Sequence, residues 1–237
     1  MLYLVPTPIG NLGDMTMRAI QTLKEVDLLL VEDTRVSKTL LRNFDISTPY
    51  KSFHLNNEHK SVETIIHELQ SGKKIALISD AGSPAISDPG FLLVRACRQV
   101  GMEVIALPGA TALIPAISAS GLPCEKFFFQ GFLPAKKGRA TQLKFLSKLP
   151  VTIVIYESPH RIVKTIAELK EIFGKDRDCS IAKEISKLYE KYFTGSLEEV
   201  YQQIVQIPKM HGEFVLCIGP ATNLKSALKQ KFTDDDE

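Results

Sequence analysis

The sequence predicts an α/β protein of two domains. The N-terminal half should hold a mostly parallel sheet with flanking helices, and the C-terminal half a mixed sheet with helices. Three observations carry this. Short apolar runs alternate with helix-period segments through the first half, the order that builds parallel strands joined by helical crossovers. In the second half, strand-like segments follow one another without a helix, which calls for antiparallel neighbours. Finally, the 237 residues are 44% hydrophobic and 24% charged, a globular composition, and long enough for one large or two modest cores without metal or disulfide staples. We place the boundary so that residues 1–116 and 117–237 form the two domains.

The elements follow in order. Leu2–Val5 is a short apolar strand ended by Pro6. Asp14 is placed to cap a helix carrying Met17, Ile20 and Leu23 at helical spacing. Leu28–Val31 and Lys74–Ser79 are continuous apolar runs, as in strands buried on both faces. Arg35–Phe44 and Ser61–Leu69 read as helices, and Val104–Leu107 as a strand. Before that strand, Asp88 and Pro89 have the order of a cap and a first helical residue, with Gly101 after the helix. In the second half, Phe127–Leu133, Thr152–Tyr156, Cys179–Ile185, Leu188–Thr194 and Glu213–Ile218 read as strands. Ala140–Leu149, Arg161–Phe173 and Leu197–Ile207 read as helices, the second ended by Gly174 and the third capped by Ser196. The acids of 234–237 read as a solvated tail.

Several function classes drop out. Cys97, Cys124, Cys179 and Cys217 form no C-x-x-C pair and sit in apolar or small-residue contexts, so buried thiols are expected and no metal. The N-terminus lacks the basic region of a secretory signal, and a cytoplasmic protein is expected. Val104–Cys124 is uncharged over 21 residues, but its prolines and glycines suit a strand, a loop and a helix start better than a membrane span. No G-x-G-x-x-G follows the first strand, and neither a Walker A sequence nor a G-x-S-x-G elbow occurs.

The net charge of +2 argues against a polyanionic partner only if charge is evenly spread. It is not. Residues 1–116 carry 11 basic and 12 acidic side chains, and the remainder 18 and 15, four of those acids in the tail. Between Glu125 and Glu157 there is no acid, while Lys126, Lys136, Lys137, Arg139, Lys144 and Lys148 occur there. Such a stretch suits phosphate contacts; a solvated lysine face is the alternative. In the first half, four Gly/Pro-rich or acidic loops follow strands: Val5–Asp14, Glu32–Arg35, Ser79–Gly90 and Pro108–Ala116. Ligands of open α/β sheets bind at the carboxyl ends of the strands, so the four loops predict one composite pocket. The twelve residues of SDAGSPAISDPG are too long for an ordinary connection.

The same loops carry a resemblance. TPIGN at Thr7–Asn11, EDTR at Glu32–Arg35, SDAGSPAISDPG at Ser79–Gly90, SGLP at Ser120–Pro123, GFLP at Gly131–Pro134, YESPHR at Tyr156–Arg161 and KEISK at Lys183–Lys187 occur in this order. Together they resemble the bacterial 16S rRNA (cytidine 2′-O)-methyltransferases of the tetrapyrrole-methylase superfamily, over about Leu2 to Gly219. The chain departs from the family at Ser83 (often Thr), Lys191 (often Glu) and Pro108–Ala112 (often PGPSA). Many members also continue into a helical extension where a short polar tail follows Gly219 here.

The resemblance implies a two-domain α/β protein, usually a homodimer, with S-adenosylmethionine in the cleft between domains. It implies methylation of a cytidine ribose in the decoding region of 16S rRNA in the small ribosomal subunit. Residue by residue, it assigns Pro8, Ile9, Asp80, Ser83, Thr111 and Ala112 to the cofactor, with Tyr156, Ala182 and Glu213 from the second domain. A ribose hydroxyl is a poor nucleophile and calls for a base or hydrogen-bond acceptor. The candidates are Glu32 and Asp33 with Arg35 beside them, Glu157, and Glu184. Lys136, Lys137, Arg139, Arg161, Lys183 and Lys187 are the candidate RNA contacts, with ion pairing to an acid as the competing role for Arg161 and lowering of the hydroxyl's pKa as that for Lys183 and Lys187. Phe127–Phe129 and Phe132 suit strand packing better than base stacking, because successive residues of a strand face opposite sides. A corrin-type small-molecule methylase and a non-catalytic RNA-binding or ribosome-assembly factor are the alternative functions.

Overall fold

The computed structural model describes residues 1–221. The acidic tail at 234–237 lies outside the described residues. The chain divides into two compact units, Met1–Thr111 and a second beginning at Ala112.

The first unit contains β1 (Leu2–Leu4), α1 (Met17–Glu25), β2 (Leu28–Val31), α2 (Thr34–Asn43), β3 (Tyr50–Ser52), α3 (Glu58–Gln70), β4 (Ile75–Ile78), α4 (Phe91–Gln99) and β5 (Val104–Ala106). Its five strands lie in the order β3-β2-β4-β1-β5, and every pairing is parallel. The central strands are apolar throughout because both faces are covered. Leu29 and Val31 of β2, with Ala76 and Ile78 of β4, pack on one side with Ala19, Leu23 and Leu41. Leu28 and Leu30, with Ile75 and Leu77, pack on the other with Ile65, Leu69, Leu93 and Cys97. Successive strand residues thus feed two separate cores. β3 was not predicted: its Tyr-Lys-Ser is exposed along its length, so an edge strand leaves no apolar signature.

Two helix starts differ from expectation. α1 is capped by Thr16, whose hydroxyl accepts the Ala19 N–H, and not by Asp14, which ends a 3-10 turn at Leu12–Asp14. Met17 is then 81% exposed, and Ala19 and Leu23 make the buried contacts. α4 starts two residues later than Pro89, after Gly90, which has φ +133° and no side chain to offer. Its cap comes from elsewhere, as described below.

The second unit contains α5 (Leu113–Ser118), β6 (Phe127–Phe132), α6 (Arg139–Leu146), β7 (Thr152–Glu157), α7 (Ile162–Phe173), β8 (Asp178–Lys183), β9 (Lys191–Ser196), α8 (Leu197–Val205) and β10 (Phe214–Ile218). Its sheet runs β6-β7-β10-β8-β9, parallel only between β6 and β7. A single core joins Ile153, Ile155, Ile181, Leu216 and Ile218 to helix residues such as Leu143, Ile166, Leu169, Val200 and Ile204. Ser196 and Glu199 form a reciprocal capping box at α8.

The uncharged stretch Val104–Cys124 resolves into β5, a loop and α5, and no described helix is long and apolar enough to cross a membrane. Cys97, Cys179 and Cys217 are buried as expected, but Cys124 is exposed. The aromatic run of β6 is also mixed. Phe128 packs edge-on against Phe145, and Phe129 against Tyr156, whereas Phe127 and Phe132 remain exposed.

Candidate active site

Parallel pairing brings the ends of β1, β2, β4 and β5 to one edge of the first sheet, and backbone bonds tie their loops into a block. Thr7 and Gly82 exchange backbone hydrogen bonds, both at 2.9 Å. The buried Thr7 hydroxyl donates to the Ser79 carbonyl at 2.9 Å, and Ser83 Oγ donates to the Ala110 carbonyl at 3.4 Å. Gly109 lies against Pro6 so closely that a Cβ there would stand 2.7 Å from the proline Cβ. The SDAGSPAISDPG loop is wound tightly: Ala85 and Ser87 take φ of +68° and +66°, a left-handed geometry that costs a non-glycine residue about 1–2 kcal/mol.

This loop is anchored at its far end by a residue that sequence reasoning missed. Glu58, the first residue of α3, is 4% exposed. Its Oε1 accepts the N–H groups of Gly90, Leu92 and Leu93 at 3.1, 3.0 and 3.4 Å. A carboxylate thereby satisfies the first turn of α4, whose free donors and dipole favour an anion. No local motif announces a cap supplied from 32 residues upstream.

Acids gather at the same edge. Asp33 caps α2 and pairs with Arg35, and those contacts hold its carboxyl down at about 2. Asp80 Oδ1 accepts the Asp33 N–H at 3.0 Å. Burial raises Asp80, and burial together with the charge of Asp80 raises Glu32. Asp88 is pushed up to about 7 by burial first and then by the charges of Glu32 and Asp80. It is thus a member of the acidic cluster and not the helix cap expected from its position before Pro89. Beside the cluster, a cavity of about 400 Å³ opens between the Thr7–Gly10 loop and the face of α2 carrying Val36, Leu40 and Asn43. Ser79 and Asp80 line it as well.

Among the expected cofactor residues, the first unit brings Pro8, Ile9, Asp80 and Ser83 into one loop block. Pro8 and Asp80 line the cavity, and Ile9 lies over Gly82. Thr111 ends the first unit and Ala112 begins the second, where it is the N-cap residue of α5. In the second unit, Tyr156 packs edge-on against Phe129 and Phe132 at centroid distances of 5.0 and 5.7 Å. Ala182 is buried between β9 and β10. Glu213 is exposed and pairs with Lys187 at 3.0 Å.

The basic and acidic candidates of the second unit sort by burial. Lys136 and Lys137 are exposed. Arg139 is 7% exposed and turned inward: it bonds Glu168, the Pro134 carbonyl and the Thr165 hydroxyl at 2.7, 3.1 and 2.7 Å. It is therefore a structural cation, unavailable to a phosphate. Glu157 is buried and accepts from Ser158 N–H, Arg161 and the Thr165 hydroxyl, and Arg161 is committed to it. Glu184, with φ +55°, accepts Lys187 Nζ at 2.8 Å and Glu213 N–H at 3.0 Å. Those bonds hold its carboxyl below the ordinary range despite partial burial. Lys187 bridges Glu184 and Glu213, and Lys183 is half-buried.

The model of the Tetrapyrrole (Corrin/Porphyrin) Methylases family matches residues 1–201. A Synechocystis protein named Ribosomal RNA small subunit methyltransferase I is 47% identical over 223 residues, 93% of this chain and 79% of its own. A Bacillus subtilis protein of the same name is 46% identical, over 94% of this chain and 76% of its own. Among solved structures, the uroporphyrin-III C-methyltransferase of Thermus thermophilus complexed with S-adenosyl homocysteine has a TM-score of 0.61 at 20% identity, covering 94% of this chain and 99% of its own. A cobalt precorrin-4 methyltransferase has a TM-score of 0.65 at 17% identity, covering 92% and 94%. The parallel first sheet, the mixed second sheet and the loop motifs agree with these matches, and the chain belongs to the tetrapyrrole methylase family, in its ribosomal RNA small subunit methyltransferase I branch.

Proposed function

We propose that the protein transfers a methyl group from S-adenosylmethionine to the 2′-hydroxyl of a cytidine in the decoding region of 16S rRNA. The observation that carries this is the acid-lined loop block at the carboxyl edge of the first sheet, in a chain nearly half identical to proteins named as small-subunit rRNA methyltransferases.

S-adenosylmethionine, when bound, supplies an electrophilic methyl on a sulfonium cation. The residues present fit such a ligand. Glu32, Asp80 and Asp88 gather carboxyl groups whose crowding and burial raise them, and a cation bound there gains Coulomb energy by drawing them to their charged forms. Gly82 lets the backbone lie close under Ile9, and Gly109 close to Pro6. Pro8, Ile9, Asp80, Ser83 and Thr111 of the first unit would hold the cofactor. Alignment of donor and acceptor by such rigid loops supplies much of the rate.

Glu32 is the best proton acceptor for the ribose hydroxyl. Its raised carboxyl is a stronger base than Asp33, which Arg35 holds at about 2. Glu184, tied to Lys187, is a poorer base for the same reason. RNA phosphates would be met by exposed Lys136, Lys137, Lys144 and Lys148. A homodimer in the cytoplasm completes the reading, checked by sedimentation and by cell fractionation.

The test is tritium transfer from labelled S-adenosylmethionine to small ribosomal subunits, followed by mapping of the labelled nucleotide. Label on a cytidine ribose is the expected result. Inert subunits refute the proposal, and label in a corrinoid instead would assign the chain to small-molecule methylation.

A further inference from the structure

We propose that the cavity between the Thr7–Gly10 loop and α2 is the site of the acceptor nucleoside, and that Ser37 and Asn43 of α2 read its base. This rests on the rRNA methyltransferase reading above and adds to it a subsite and its specificity residues.

The size is right: about 400 Å³ falls in the range of small-molecule pockets and accommodates one extruded nucleoside. Pro8, Leu12, Val36 and Leu40 give it apolar walls, as a planar ring requires. None of its described lining residues is basic, so the occupant is a neutral ring and not a phosphate. Its polar groups lie on two sides. On one, Asp80 uses Oδ1 for the Asp33 N–H, and Oδ2 accepts no hydrogen bond from the described residues. On the other, Asn43 donates its amide to the Thr39 carbonyl at 2.9 Å, which leaves the amide oxygen to a ligand.

The second, independent observation is Ser37. It lines the cavity and is 2% exposed, yet its hydroxyl has no hydrogen-bond partner among the described residues. A buried hydroxyl without a partner is costly, and one in a pocket wall is met by a ligand that bonds it. A cytosine matches the set: its exocyclic amine donates to a carboxylate, and its ring nitrogen or carbonyl accepts from a hydroxyl. Uracil would set a carbonyl against Asp80. Pro8 and Asp80 also belong to the loops proposed for the cofactor, so the acceptor would lie directly beside the donor.

The test uses the full chain with two substitutions, Ser37→Ala and Thr39→Phe. Thr39 is an exposed lining residue, so the phenylalanine fills the cavity without disturbing the core. Steady-state transfer to small subunits, calorimetry with S-adenosylmethionine and thermal midpoints are measured in parallel. Ser37→Ala should raise KM for the subunits about tenfold, the equivalent of one lost hydrogen bond. Cofactor Kd should stay within about twofold, and the midpoint should be equal or higher, because the fold loses no hydrogen bond. Thr39→Phe should raise KM further with the same cofactor Kd. Unchanged KM in both variants overturns the inference. So does a parallel loss of cofactor affinity, which would assign the cavity to the cofactor, and so does a lowered midpoint in Ser37→Ala with unchanged KM, the mark of a structural hydroxyl. Transfer by the wild type with unaffected variants refutes only the subsite; no transfer by the wild type refutes the function and the subsite together.

Discussion

Replacing Glu58 should unfasten the loop that carries Asp80 and Ser83, at a cost the structure allows to be worked out. The side chain accepts three N–H groups at the start of α4, two at 3.1 and 3.0 Å and one longer at 3.4 Å. Hydrogen bonds to a charged group contribute about 1.5–3 kcal/mol each. The helix dipole contribution is largely the same interaction and is not added. Counting the two short bonds, and the donors left unpaired next to Gly90, Glu58→Ala should destabilise the first unit by about 3–5 kcal/mol. Glu58→Gln keeps an acceptor oxygen and loses the charge, and should cost about 1–2 kcal/mol. Urea denaturation followed by circular dichroism measures both, with cofactor affinity by calorimetry under conditions where each variant is folded. A loss below about 1 kcal/mol for Glu58→Ala, or equal losses for the two variants, would refute the capping argument.

Four further outcomes are expected. Asp88 has a folded pKa of about 7, raised by burial above the ordinary 3.8; such a group favours folding when protonated, so its benefit is complete below about pH 4 and lost as pH climbs to about 7. Asp88→Asn should therefore gain in thermal midpoint relative to the wild type across that window and stay level above it; a flat difference would contradict the burial. Gly109→Ala puts a Cβ 2.7 Å from Pro6 and should separate the first and last loops, weakening S-adenosylmethionine binding at least tenfold by calorimetry; intact affinity would show that the two loops need not touch. Arg139→Ala should cost about 3–5 kcal/mol in urea denaturation, as removal of one member of a largely buried ion pair does. By contrast, Lys136→Ala with Lys137→Ala should leave stability alone and flatten the salt dependence of RNA binding by about two phosphate contacts; the reverse assignment of effects would restore Arg139 as the RNA contact.

Arg139 shows where sequence reasoning stops. In the chain it is one of six cations in an acid-free stretch, chemically equivalent to its neighbours Lys136 and Lys137. Its burial depends on Glu168 and Thr165, supplied by α7, 29 and 26 residues away. The cap of α1 makes a related point: Asp14 and Thr16 are both competent caps, and the choice fell to Thr16 because that register buries Ala19 and Leu23 and leaves Met17 in water. β3 was invisible for a different reason, since an exposed edge strand has no buried face to pattern.

By itself the sequence determined the alternation of strands and helices, the parallel and mixed sheets, and the long loops at the carboxyl edge of the first sheet. These follow from local propensity and periodicity, which neighbouring residues encode. It also determined the family, because seven ordered motifs are preserved along one chain. Only the tertiary structure decided which partners surround each charge. Glu32, Asp33 and Glu184 look alike as candidate bases in the chain. Folding desolvates the first beside Asp80, pairs the second with Arg35 and ties the third to Lys187. A carboxylate's protonation depends on what surrounds it in space, and those partners come from distant segments as well as near ones.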